Sequence, residues 1–429
     1  MDRQKFRQTL AALAADGQLW SDFAALCQCG GRLAGSASEK AALDFVQMRA
    51  GQLGAGQLRM HPVAYAGWRC HEASLRLLDG DAELTCKALL GSQSTSHQGL
   101  TAEVIDLGRG TEQEFAAQAQ DIAGRIVLVR HEYPFSAQHL HRRRKLGWAM
   151  EHGAAGFIIA NPTPGAGPVS GSSGRAGQAG IPAVATDYES AALLAQHGER
   201  RKRVRLLLRG EDYSAATAIA VLDAGPAPDP AGVVCLSAHL DGHDLAESAM
   251  DNASGVAVAL AVTRALAPLA AQCRRGLRLC LFSAEEWALA GSRQYLDQMP
   301  ETERSRIALN INLDTVGGSG KLTALTSGFA GLERFVSEAA AEVELPVGNY
   351  PALMANSDHY NFARHGIPAL RLVAGFNDAR CDVRHILTRA DTRDKVTATQ
   401  LQAAAALTSA LVWRALDADD AEAARWRAR

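Results

Sequence analysis

Beyond residue 213 the chain alternates short apolar runs of β character with helical patterns, and several of those runs stop at an acid or a histidine. Strands that are apolar along their whole length belong to sheets buried on both faces, and helices between them are the crossovers that parallel strands require. The pattern predicts an α/β unit, a mixed and mostly parallel sheet flanked by helices. Strands are expected at 216–222, 233–238, 277–283, 307–313 and 369–373, and helices at 256–266, 291–298, 332–343 and 398–415.

The earlier part of the chain reads differently. Residues 3–53 carry helical patterns around a Gly-rich joint, Cys29-Gly30-Gly31-Arg32-Leu33-Ala34-Gly35-Ser36, with Ala42, Phe45, Val46 and Leu53 on one stripe. From about residue 63 come shorter β-like runs such as Arg125-Ile-Val-Leu-Val-Arg130, a helical stretch at 137–152, and a Gly/Ser/Pro loop through Ser170–Gly174. The expected organisation is residues 1–62 as the helical start of a main domain, 63–212 as a smaller α/β insert, and 213–429 as the rest of the main domain.

Lys and Arg total 44 against 46 Asp and Glu, so the chain has no overall field that would draw it to nucleic acid or an anionic membrane. The basic clusters Arg142-Arg-Arg-Lys145 and Arg200-Arg-Lys-Arg203 are expected on solvated faces. The apolar stretch Val256–Val262 has the length of a core segment, short of the roughly 20 residues of a spanning helix. Leu10–Asp16 is too short and interrupted for a secretory signal. The 8 cysteines are too sparse for a disulfide scaffold, and Cys235 and Cys280 sit in apolar runs where a reduced thiol is usual. These features predict a cytoplasmic protein, or an exported one if a leader has been removed.

Chemistry enters at the strand ends. Val233-Val-Cys-Leu-Ser-Ala-His239-Leu-Asp241 ends in H-x-D; Met250-Asp251-Asn252-Ala-Ser-Gly255 opens a helix, with Ser254 expected as its cap; Leu277–Ser283 leads into Ala284-Glu285-Glu286; Ile307–Leu313 leads into Asp314; and His385 and Asp391 follow the last strand. Open α/β sheets place their sites at the carboxyl ends of strands, so these groups are expected on one rim. Imidazoles and carboxylates together are a donor set for a divalent metal. The adjacent Glu285 and Glu286 point opposite ways if strand alternation continues, one to metal and one to water. Neither His71-Glu72 nor His131-Glu132 has a second histidine four residues on, and no strand leads into the serines of 170–174 as a nucleophile elbow requires.

The run H-x-D, M-D-N-A-S-G, F-S-A-E-E-x-x-x-x-G-S, N-x-D, then H with D-T-x-D-K-V resembles the co-catalytic zinc aminopeptidases of metallopeptidase family twenty-eight, relatives of glutamate carboxypeptidase. Gly124–Arg130, Gly153–Asn161 and Ile181-Pro-Ala-Val resemble the protease-associated domain often inserted in them. The resemblance implies a zinc exopeptidase fold and two zinc ions. It implies that His239 and Asp314 hold one zinc, Glu286 and His385 the other, and Asp251 both; that Asp241 orients the imidazole of His239; and that Glu285 is the general base. The family's last histidine stands closer to the D-T pair than His385 does in His385-Ile-Leu-Thr-Arg-Ala-Asp391, and the alternatives for its place are His359 and His243, the latter read as a loop residue. The implied activity is removal of N-terminal residues from peptides. Alternatives are a carboxypeptidase or a hydrolase of dipeptides or acylated amino acids, and, further off, a receptor-like binding protein or a glutaminyl cyclase-like acyltransferase. Expected partners are a peptide or small amide substrate, with no nucleic acid and no membrane, and with a homodimer left open.

Overall fold

A computed structural model describes residues 3–53, 56–175, 178–195, 201–224 and 232–428. The chain divides into two compact units, one of Met1–Val63, Ala216–Ile386 and Asp391–Arg429, the other of Ala64–Ala215 with Leu387–Ala390. The four residues 387–390 therefore group with the insert, where the sequence had them in the main domain.

In the first unit the sheet order is Val347–Tyr350, Leu322–Leu325, Ala369–Ala374, Ile307–Leu313, Val233–His239, Gly276–Phe282 and the end of Arg203–Ala224. The four strands from Ala369–Ala374 to Gly276–Phe282 run parallel, and antiparallel pairs flank them at both sides. Val233–His239 is the first parallel strand, and its neighbours on either side come later in the chain. The order thus diverges at its carboxyl end, the place where such sheets open a crevice. Every residue of these four strands is buried, which explains why they are mostly apolar.

The helix Ser254–Ala270 is longer than expected. By length and composition alone the segment Ala249–Ala270 could cross a membrane, but 83% of its apolar window is buried inside the unit, so it is a core helix. Ser254 does not cap it. The Ser254 hydroxyl donates to the Met250 carbonyl (2.7 Å) and accepts the Val316 N–H (3.1 Å), stitching the turn before the helix to the chain after Asp314.

Two elements run far beyond expectation: Gln57–Leu77 and Arg203–Ala224 are continuous strands of 21 and 22 residues. Half-exposed polar segments such as Gly210-Glu211-Asp212 hid their continuity, because alternation fails where both faces are partly wet. The strands Leu322–Leu325 and Val347–Tyr350 were missed for their shortness.

The second unit has the order Arg203–Ala224 (its first residues), Leu100–Asp106, Ile126–Arg130, Gly156–Ala160, Ala183–Thr186 and Lys87–Ala88, parallel in the middle. Its core gathers Phe115, Ile122, Val127, Val129, Phe157 and Ile159. The first basic cluster faces solvent only in part: Arg144 is exposed, but Arg142 and Lys145 are not. Arg142 is buried against the carbonyl of Ser172 (3.1 Å), and Lys145 is fully buried, its ammonium on Glu132 (2.6 Å) and on the carbonyl of Arg130 (2.8 Å). An isolated buried ammonium would be expensive, and this pairing makes it tolerable. In the second cluster, Arg200 lies outside the described residues.

Candidate metal centre

His239 ends its strand almost fully buried. Its Nε2 lies 3.1 Å from Asp251 Oδ1 and 3.6 Å from Asp314 Oδ1, so one ring nitrogen faces two carboxylates. Asp251 reaches this place because the turn before the core helix is pinned. Asn252 donates to the Leu313 carbonyl (2.9 Å) and accepts the N–H groups of Gly255 (3.0 Å) and Thr315 (3.2 Å). A Cβ on Gly255 would lie 2.5 Å from that Leu313 carbonyl, so D-N-A-S-G needs its glycine to let helix and strand end meet. Below the rim, Asn310 and Asn312 both bond Ser237, and Asn312 also bonds Ser357.

The expected role of Asp241 changes. The ring Nδ1 of His239 meets the backbone carbonyl of Asp241 at 2.9 Å, while the nearer carboxylate oxygen is 3.8 Å away. The carboxylate instead accepts the N–H groups of Glu285 (3.1 Å) and Glu286 (3.2 Å). Strand alternation does not aim the two glutamates either, because the strand stops at Phe282 and Ala284 takes a left-handed conformation (φ 57°). They sit in a turn whose shape is held by Asp241.

The donor atoms of His239, Glu285 and Asp314 all lie within 4.8 Å of one another. Asp314 is also held by Arg371, whose guanidinium approaches its second oxygen at 3.1 Å. Burial alone would raise the Asp314 carboxyl, but Arg371 and His239 outweigh it and hold it well below the usual range. Burial raises Glu285 well above the ordinary carboxylate value against the pull of His239, and burial together with Asp251 pushes Glu286 up to about 8. Burial likewise lifts the neighbouring Asp358 to about 7. For His239 burial works against the charged ring, yet Glu285 and Asp314 raise it well above its ordinary value.

These shifts have one physical meaning: carboxylates are crowded into a dry place around His239, His243 and Arg371, and protons fill in for missing positive charge. A divalent cation suits that excess, and nitrogen with carboxylate oxygen is a zinc donor set, so the residues present fit the metal.

The remaining candidates are placed as follows. Glu286 has a buried Oε1 that meets no hydrogen-bond partner, with Asp251, His243, His239 and Asp241 as its charged surroundings. His385 ends the short turn Asp382–His385 half-buried, with Arg384 Nε 3.2 Å from its Nε2. It is not part of the group formed by His239, Glu285 and Asp314. His359, the first alternative, is buried, and burial drives its pKa down to about 3. His243 is a loop residue, as expected, but it is only 1% exposed, its Nε2 3.8 Å from Asp391 Oδ2. Sequence reasoning missed Arg371, hidden mid-strand in Ala369–Ala374, and Arg32, whose place in a Gly-rich joint gives no sign of burial.

Comparison with known proteins bears on the family and the fold. Peptidase family M28 matches residues 219–412, and the PA domain matches residues 99–194. Aminopeptidase YwaD of Bacillus subtilis (strain 168) is 27% identical over 341 residues, which cover 78% of this chain and 71% of that protein. Carboxypeptidase Q of Bos taurus is 27% identical over 301 residues, 66% of this chain and 61% of its own length. Among solved structures, BSAP, a zinc aminopeptidase from Bacillus subtilis, superposes with a TM-score of 0.73 at 25% identity, covering 94% of this chain and 95% of that one. A peptidase M28 precursor from Shewanella amazonensis SB2B shares the fold with a TM-score of 0.81 at 23% identity, over 97% of both chains. The comparisons thus support a peptidase, similar to peptidase family M28 over residues 219–412 and to the PA domain over residues 99–194, on a mixed, mostly parallel sheet with histidine and acids at its carboxyl rim and a separate inserted unit.

Proposed function

We propose that this chain is a two-zinc aminopeptidase that removes N-terminal residues from peptides, with Glu285 as general base. The observation that carries the reading is the convergence of His239, Glu285 and Asp314 within 4.8 Å at the carboxyl ends of three parallel strands. His239, Asp251 and Asp314 would hold zinc at the strand ends, Asp251 would be shared with a second ion, and Glu286 would bind that second ion. Bound zinc supplies Lewis acidity, lowering the pKa of water and polarising the carbonyl to be attacked. Glu285, buried beside His239 and Asp314, would take the proton of the attacking water and hand it to the leaving amine. Asp241 acts through the backbone, fixing where Glu285 and Glu286 stand.

The charge of the site favours the amino terminus. A rim of carboxylates attracts an ammonium, whereas the guanidinium nearest the metal ligands, Arg371, is 1% exposed and engaged with Asp314 and Asn356. The likeness to carboxypeptidase Q keeps a second reading in play, cleavage at the carboxyl end. A panel of zinc-loaded assays separates the two. Peptides with a free amino end and an amidated carboxyl end are expected to be cleaved, and N-acetylated ones with a free carboxylate are not; the reverse pattern sinks the aminopeptidase reading.

Metal binding should also be linked to protons. A carboxyl whose pKa is raised in the fold, as Glu286 is from 4.5 to about 8, stabilises the metal-free protein fully below the lower value and loses that contribution as pH rises through the higher one. His239, raised as well, moves the same way. Zinc takes the deprotonated ligands. The gap in Tm between zinc-loaded and metal-free protein is therefore expected to widen from about pH 5 to about pH 8 in a thermal melt series; a gap that stays flat or narrows contradicts the assignment.

A further inference from the structure

We propose that the imidazole of His243, and not that of His385, supplies the nitrogen ligand of the second metal position, beside Asp251 and Glu286. The inference rests on the two-metal reading above and deepens it.

His243 stands in the loop after the Val233–His239 strand, two residues beyond Asp241, and its Nε2 is buried without a hydrogen-bond partner. The nearest carboxylate oxygen, Asp391 Oδ2, lies at 3.8 Å, beyond hydrogen-bond length. A buried polar nitrogen with nothing to bond is costly, and proteins rarely keep one without a use. The carboxylate it faces also accepts the N–H groups of Met250 (2.8 Å) and Asp251 (3.3 Å), and the oxygen that meets Asp251 is the one that faces His243. On the other flank, Glu286 has a buried Oε1 that is also without a partner, and Asp251 and His243 head the charges around it. Two unsatisfied atoms, an imidazole nitrogen and a carboxylate oxygen, thus belong to residues gathered around Asp251. Nitrogen with two carboxylates is a zinc donor set.

The loop is built to hold that position. Arg32 bonds the carbonyls of Leu240, Glu247 and Ser248, and the N–H of His243 is received by Ser248 Oγ (3.1 Å). A Cβ on Gly31 would lie 1.9 Å from the His243 carbonyl, so the Gly-rich joint lets the loop settle against it. Ligation through Nε2 places the ring proton on Nδ1, which now receives the Leu245 N–H at 3.4 Å, a contact long enough to be given up. His385 stands in a different field: Arg384 lies 3.2 Å from its Nε2 and leads the charges acting on it, ahead of Asp382, Lys395 and Asp391. Cations beside an imidazole oppose a divalent ion there.

The test uses the full chain, loaded with zinc, freed of excess and analysed for metal by mass spectrometry, then repeated with cobalt to read the visible absorption of the bound ions. Wild type and His385→Ala are expected to hold about two ions per chain, and His243→Ala about one, with roughly half the cobalt absorption. Circular dichroism checks the fold, and His243→Gln replaces the alanine variant if that one unfolds, with the same loss expected. His243 variants that keep both ions overturn the assignment, whether or not His385→Ala loses one. A wild type that takes up one ion overturns the two-metal reading itself, and the assignment with it.

Discussion

Replacing Glu285 with Gln is expected to lower kcat on a peptide with a free amino end by about 10²–10⁴-fold, the usual worth of a positioned general base, while zinc content stays at the wild-type level. Gln matches the size of Glu but cannot accept a proton at neutral pH. The backbone N–H of residue 285 would still be received by Asp241, so the turn keeps its place. Metal is expected to stay because His239, Asp251 and Asp314 converge independently of this side chain. Reading kcat and zinc content on the same preparation makes the result decisive. A variant with more than about a tenth of the wild-type rate shows that another group is the base. A variant that loses zinc shows instead that Glu285 is a ligand, a role its position near His239 and Asp314 would also allow.

The second large effect is expected at Arg32, which lies outside the set of metal ligands. Arg32 is fully buried, and its guanidinium donates to the carbonyls of Leu26, Gly30, Leu240, Glu247 and Ser248 at 2.7–3.2 Å. Leu26 belongs to the last turn of the helix Gln18–Gln28, whose carbonyls lack partners within the helix, and the last three frame the loop that carries Asp241 and His243. Arg32→Ala leaves these acceptors unmet in a dry place and is expected to cost on the order of 3–5 kcal/mol, lowering Tm by about 10 °C. Arg32→Lys should recover little, since one ammonium cannot reproduce a planar five-donor fork. A wild-type melting curve for the alanine variant would contradict this.

The strands of the main unit were legible because burial on both faces leaves mostly apolar runs, and the acids that end them were legible because nothing in a core explains them. Ile307–Leu313 was expected and found with the same bounds. The turn that aims Glu285 and Glu286 was not legible, since it depends on a left-handed Ala284 and on backbone N–H groups received by a residue just beyond the end of another strand. Nor was the burial of Arg32, Lys145 and His243, each of which looks like an ordinary polar residue until its partners arrive from 13 to more than 200 positions away. Sequence shows which groups are chemically capable; three-dimensional contacts decide which of them are dry.

The bonding of Asp241 has a further consequence. One carboxylate holds the N–H groups of both glutamates, so the proton carrier and its metal-binding neighbour are mechanically one part. A substitution that shifts one will shift the other, and neither can be retuned alone by moving the backbone. Redesign of this centre for a different reaction would therefore have to alter side-chain identity at 285 or 286 while leaving residue 241 untouched.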